Sequence, residues 1–211
     1  MKAILFDLDG TLTDSGEGIM NCAQLALEHY GITVSDRSLL RQFVGPPLHE
    51  SFVKFGVPPQ EADHAVEIYR SRYIPIGKFE NEPYPGIREL LEKLKADGHK
   101  LYVATSKPEE MSVEILEHFG LAKYFDIICG ASMDRSRISK ALVIAHLLTQ
   151  TGCSLEAIMV GDTAFDVIGA KEHGISTIGV AWGYGLVEDM KNAGALAIAN
   201  STDELYDLLS K

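Results

Sequence analysis

Six short runs of nearly continuous apolar character recur along the chain: AILFDL, KLYVATS, DIICGAS, AIMVGD, STIGVAW and ALAIAN. A strand with one wet face alternates apolar and polar residues, whereas a run without alternation is covered on both faces. Between these runs lie amphipathic stretches of helical period, such as PGIRELLEKLKADG, which Gly98 ends, and PEEMSVEILEHFG, ISKALVIAHLLTQTG, AFDVIGAKEHG, LVEDMKNAG and TDELYDLLSK. Strand followed by helix, repeated, leaves few architectures. It predicts an α/β fold with a doubly wound, mostly parallel sheet.

One segment breaks the rhythm. From about Ser15 to Glu82 the sequence reads as helix after helix (GEGIMNCAQLALEHYG, SDRSLLRQFVG, PPLHESFVKFG, PQEADHAVEIYRSRYIPIG) with no strand. That is too long for one crossover between the first and second strands. An inserted α-helical subdomain over 15–82 is expected, with an α/β core formed by 1–14 and 83–211; Pro83, Pro85 and Gly86 punctuate the return.

The balance of charge limits the partners. With 19 Lys and Arg against 30 Asp and Glu, the formal charge of the 211-residue chain is −11. Nucleic acid and anionic membrane surfaces both call for a basic face, so neither is expected. Cys22, Cys129 and Cys153 are far apart in apolar surroundings and form no CxxC pair, and the seven histidines form no HxH or HExxH. No apolar run approaches the ~20 residues of a membrane span, and the first is too short for a signal peptide, so a cytoplasmic location is expected. A small phosphorylated metabolite is the expected partner, and the chain is expected as a monomer or weak homodimer.

Ligands of doubly wound sheets bind beyond the carboxyl ends of the strands. Here the first strand ends in Asp7-Leu8-Asp9-Gly10-Thr11, the second in Thr105-Ser106-Lys107 and the fourth in Gly161-Asp162, with Asp166 four residues on. Lys140 opens the helix after the third strand. In an extended chain Asp7 and Asp9 point the same way. Four carboxylates on one rim cannot all ionise without a cation, and hard oxygen ligands of this kind suit Mg²⁺. Thr105, Lys140 and backbone amides at the loop and helix starts are donors suited to a phosphate group. A carboxylate that attacks phosphorus needs a second carboxylate free to exchange a proton, and Asp7 and Asp9 would divide those tasks.

The segments DLDGTLTDS, VATSKP, Lys140 and VGDTAFD resemble, in order, the four motifs of the haloacid-dehalogenase-like hydrolase superfamily. The likeness covers essentially the whole chain and is nearest to phosphoglycolate-phosphatase-like members with a helical cap, RQFVGPPLHESF included. The residue after Lys140 is Ala141, where many relatives have proline; Arg135 and Arg137 fit the helix start less well than Lys140. The resemblance implies a Mg²⁺-dependent phosphatase. Asp7 would form an aspartyl-phosphate, and Asp9 would protonate the leaving oxygen and then deprotonate the hydrolytic water. Thr105, Ser106 and Lys140 would bind phosphoryl oxygens. Asp7, the carbonyl of Asp9 and Asp162 would hold the ion, with Asp166 close by. A phosphomutase of β-phosphoglucomutase type and a non-enzymatic phospho-accepting regulatory domain are the alternatives. Arg41 and Trp182 stand as further candidates for substrate contact, and Lys107 as either a phosphate ligand or a salt-bridge partner of nearby acids.

Overall fold

β1 (Ala3–Phe6) is buried at every position. Its side chains divide between two cores, Ile4 and Phe6 to one face and Ala3 and Leu5 to the other. This is why the run shows no alternation: the pleat is intact, but neither face meets water. The computed structural model describes residues 2–134, 136–151 and 157–210; Arg135 and Cys153, both singled out above, lie outside the described residues. The chain divides into two compact units, Met1–Thr13 with Pro83–Lys211, and Asp14–Glu82.

The first unit holds a six-stranded sheet. Along the chain β1 is followed by β2 (Thr13–Asp14), α1 (Gly16–His29), α2 (Leu48–Lys54), α3 (Ala62–Tyr73), β3 (Glu82–Pro83), α4 (Ile87–Ala96), β4 (Lys100–Pro108), α5 (Glu109–His118), β5 (Ile127–Ala131), α6 (Lys140–Thr151), β6 (Ala157–Gly161), α7 (Ala164–Lys171), β7 (Ser176–Val180), α8 (Val187–Ala193), β8 (Ala197–Ala199) and α9 (Thr202–Leu209). The sheet order is β5-β4-β1-β6-β7-β8, and neighbouring strands run parallel. β1 lies between β4 and β6, with Phe6 beside both Val103 and Val160. The order of connection reverses there, and a doubly wound sheet opens its ligand crevice at such a point.

Helices cover both faces. Ile87, Leu90, Leu91 and Leu94 of α4 follow helical spacing and join Ile4 and Phe6, together with Ile115 and Leu116 of α5 and Leu205 and Leu209 of α9. Val143, Ile144 and Leu147 of α6 and Ala170 of α7 cover Ala3, Leu5 and Met159 on the other face. The expected α/β sheet is therefore present, parallel at every described pairing.

In the second unit α1 packs on α3, and Gly18 of α1 meets Gly77, in a 3₁₀ turn beyond α3, so closely that neither leaves room for a β-carbon. Phe43, Phe52, Phe55, Tyr69 and Tyr73 form an aromatic core, and Arg72 pairs with Glu80 through two hydrogen bonds of 2.6 and 2.7 Å. Two expectations change in detail. SDRSLLRQFVG forms a 3₁₀ helix over Arg37–Phe43, on which Arg41 is exposed. It stops before Val44-Gly45-Pro46-Pro47, where Gly45 has φ +102° and the prolines offer no N–H. The long helix expected over PQEADHAVEIYRSRYIPIG is confined to α3, flanked by 3₁₀ turns at Pro59–Glu61 and Gly77–Phe79. Ile74 keeps helical backbone (φ −63°, ψ −50°), but Pro75 has no N–H to donate, and Ile76 leaves the helical region at φ −129°. The two-residue strands β2 and β3, which pair with each other, are too short to leave a hydrophobic pattern.

Candidate active site

After Phe6 the extended chain ends, although Asp7 N still donates to Val160 O at 2.9 Å. The backbone then coils: Leu12 N and Thr13 N both donate to Leu8 O, and Gly10 N donates to Thr13 O. Gly10, at φ +84°, allows that turn. Asp7 and Asp9 consequently take different partners, Lys140 and Lys107. The alternation that would have aimed both side chains one way stops at the strand's last residue.

The Asp7 carboxylate joins those of Asp162 and Asp166, whose oxygens lie within 4.8 Å of one another, all three residues buried. Lys140 stands among them. Its Nζ is 2.7 Å from Asp7 Oδ1 and 2.8 Å from Asp166 Oδ1, and donates to Ala104 O at 3.0 Å. Those three partners match the three N–H groups of an ammonium. Lys140 thus balances two carboxylates, and a phosphoryl oxygen reaching it would share a donor with one of them. Gly169 of α7 permits the approach, because a β-carbon there would meet Lys140 and Ala141 N. Asp166 also closes the start of α7, accepting from Thr163 N at 3.0 Å and Thr163 Oγ1 at 2.9 Å. Gly161 leaves space for it.

Electrostatics show what this group lacks. Burial pushes the Asp7 carboxyl up to about 6 against the pull of Lys140, with Asp166 adding to the rise. Burial, then Asp166 and Asp7, push Asp162 up to about 8. Lys140 is held charged, well above its ordinary value, because Asp166 and Asp7 outweigh its burial. One ammonium does not balance three buried carboxylates, so a hard divalent cation fits this donor set.

Asp162 is held firmly. Thr11 Oγ1 donates to its Oδ1 at 3.3 Å and Tyr184 N to its Oδ2 at 2.8 Å. Around it β-carbons at Gly10, Gly183 and Gly185 would all collide with Asp162 itself. The WGYG segment is therefore a cradle for one carboxylate. Trp182 Nε1 donates to Thr11 O at 3.1 Å, and its ring packs beside Tyr84 against the core. The two glycines flanking Tyr184 were the sequence signal for this cradle.

Thr105, Ser106 and Lys107 owe their place to an irregularity in β4. Ala104 pairs with Cys129 and Pro108 with Ala131, so four steps on one strand face two on the other. The excess backbone bulges. The Thr105 hydroxyl hydrogen-bonds the Asp7 carboxyl and accepts from Lys107 N at 3.2 Å; Ser106 is half-buried on the same bulge. Lys107 Nζ lies 2.6 Å from Asp9 Oδ2. The salt bridge, one of the two readings of Lys107, is therefore present. Asp9's carboxylate is thereby outside the three-carboxylate group.

A family model described as haloacid dehalogenase-like hydrolase matches residues 4–180. The chain belongs to that family. A 5'-nucleotidase of Pseudomonas aeruginosa is 43% identical over 190 residues, 89% of this chain and 86% of its own. The tyrosine-protein kinase PtkA of Mycobacterium tuberculosis is 43% identical over 211 residues, covering 99% of this chain and 72% of its own. A phosphoglycolate phosphatase of Chromobacterium violaceum is 33% identical over 218 aligned positions, 99% of this chain and 96% of its own. A solved structure described as a predicted phosphatase from Clostridium acetobutylicum superposes with a TM-score of 0.94 at 46% identity, covering 99% of this chain and 98% of that one. Within the family, these relatives place the chain with phosphoric monoester hydrolases.

Proposed function

We propose that the protein is a Mg²⁺-dependent phosphatase that hydrolyses a small phosphomonoester, of phosphoglycolate phosphatase-like or 5'-nucleotidase-like kind, through an aspartyl-phosphate on Asp7. The observation that carries this reading is the buried trio Asp7, Asp162 and Asp166, whose oxygens lie within 4.8 Å and of which Asp7 and Asp166 share a single lysine. Asp7, Asp162 and the Asp9 carbonyl would hold the ion, with Asp166 beside it. Bound there, Mg²⁺ would supply the positive charge that keeps the carboxylates ionised and offsets charge developing on the phosphoryl oxygens.

Asp7 attacks phosphorus as the ester P–O bond breaks, and the leaving alkoxide takes a proton from Asp9. A water molecule then gives a proton to the Asp9 carboxylate and attacks phosphorus; the Asp7–P bond breaks, inorganic phosphate leaves, and Asp9 is protonated again. Thr105, already hydrogen-bonded to Asp7, Ser106 and Lys140 orient the phosphoryl oxygens, since such transfers depend mainly on positioning and charge. Asp7→Asn should lower phosphate release by about 10³-fold or more while leaving the melting transition in place, because an amide is no nucleophile toward phosphorus. Activity near that of the parent would remove the covalent route.

A further inference from the structure

We propose that Lys107 is a positioning residue for proton transfer: it pins Asp9 by Oδ2 and leaves Oδ1 as the oxygen that trades the proton with the leaving group. The inference rests on the assignment of Asp9 to proton transfer. Four observations carry it. The pair is short, 2.6 Å, and lies away from water, with side-chain exposures of 6% for Lys107 and 15% for Asp9. Asp9 Oδ1 is buried and has no hydrogen-bond partner among the described residues. Asp9 stands outside the three-carboxylate group only two residues from Asp7, which belongs to it. Lys107 is itself fixed, since the bulge of β4 turns it to the rim and its N–H is tied to Thr105 Oγ1, whose hydroxyl reaches Asp7.

A carboxylate in the coil beyond a strand has two rotatable side-chain bonds. An ionic hydrogen bond to one oxygen fixes both torsions. The other oxygen then faces a definite direction and has no donor to give up before it acts. The two oxygens are unequal because of residue 107, which is 98 positions away in the chain.

Proton donation matters in proportion to the basicity of the departing oxygen, so the test compares two leaving groups. p-Nitrophenolate leaves unaided, whereas the alkoxide of phosphoglycolate or of a nucleoside 5'-monophosphate does not; the alkyl ester used is whichever the parent enzyme hydrolyses faster. Lys107→Met should lower kcat on the alkyl ester by about 10²-fold, the usual worth of a positioned acid, and on p-nitrophenyl phosphate by less than about 5-fold. Lys107→Arg should restore most of the loss. In an Asp9→Asn background, Lys107→Met should cost nothing further, because its effect runs through Asp9. Lys107→Gln replaces Lys107→Met if circular dichroism shows the latter unfolded. Equal losses on both substrates, or a raised KM with unchanged kcat, would make Lys107 a structural residue or a phosphate ligand and overturn the proposal. If Asp9→Asn is itself indifferent to the leaving group, the role of Asp9 falls and this inference with it. If Asp9→Asn discriminates while Lys107→Met does not, only the inference falls.

Discussion

At the scale of a residue, Asp162 is the most informative group in the site. A carboxyl whose folded pKa stands near 8 binds a proton that the unfolded chain, near 3.9, has already released. In metal-free protein the stability this proton confers is complete below the unfolded value and is lost as pH rises through the folded one. Stability in EDTA, followed by melting temperature, should therefore decline between about pH 4 and pH 8, by up to ~1.4 kcal/mol per pH unit from this group. Asp162→Asn cannot ionise and should remove that slope. In EDTA it should melt above the parent at pH 8, by roughly 2–4 °C for each kcal/mol, with the gap closing toward pH 4. Melts of both proteins across this range decide the matter, and parallel curves would mean that Asp162 is not raised by its burial. The same substitution removes a proposed ligand, so magnesium should stabilise the parent and leave the variant unmoved.

At the scale of an element, legibility followed length and local chemistry. β1, β4, β6 and β7 were readable because burial on two faces writes an unbroken apolar run, and α4 because Ile87, Leu90, Leu91 and Leu94 repeat at helical spacing before Gly98. Asp7, Asp162, Asp166, Lys140 and Thr105 could be grouped because each ends a strand or opens a helix. The Asp9–Lys107 pairing could not. It follows from a bulge and a coil, and neither has a periodicity. The WGYG loop escaped for a related reason: its glycines serve Asp162, which lies before β7 in the chain, a contact that exists only after β6 and β7 pair. That loop offers its own test. Gly185→Ala places a methyl against the backbone of Asp162 and should weaken magnesium binding by about 10–100-fold, the usual cost of disturbing a ligand's support, in a protein that still folds. Tyr184→Ala keeps the N–H that Asp162 accepts and should lose less. Titration calorimetry with Mg²⁺ measures both. Equal, parent-like affinities would show that the cradle does not govern the ligand.

At the scale of the whole molecule, an acidic protein handles an anionic substrate. With a formal charge of −11, it has no broad positive field to gather phosphate esters, so binding must come from a few groups concentrated in one place. Among the described residues no helix is long and apolar enough to cross a membrane. The relatives divide on where the phosphoryl group goes, since one is named a nucleotidase, one a phosphoglycolate phosphatase and one a tyrosine kinase. The site favours water as the acceptor if Asp9 works twice, once as acid and once as base. A screen of phosphoglycolate, nucleoside 5'-monophosphates and pyrophosphate, compared by kcat/KM, should therefore find inorganic phosphate released in step with loss of ester. EDTA should silence that release and Mg²⁺ restore it. Ca²⁺ should restore it poorly, because it takes more ligands at longer distances than a carboxylate trio held within 4.8 Å, two of its members paired with Lys140, is built to give. Transfer of label from ATP to a tyrosine, without phosphate release from any ester in the screen, would overturn the phosphatase reading and make the acceptor a hydroxyl. Isomerisation of a sugar phosphate without release would do the same for a mutase, because in both cases Asp9 would be drawing its second proton from a hydroxyl of the acceptor rather than from water.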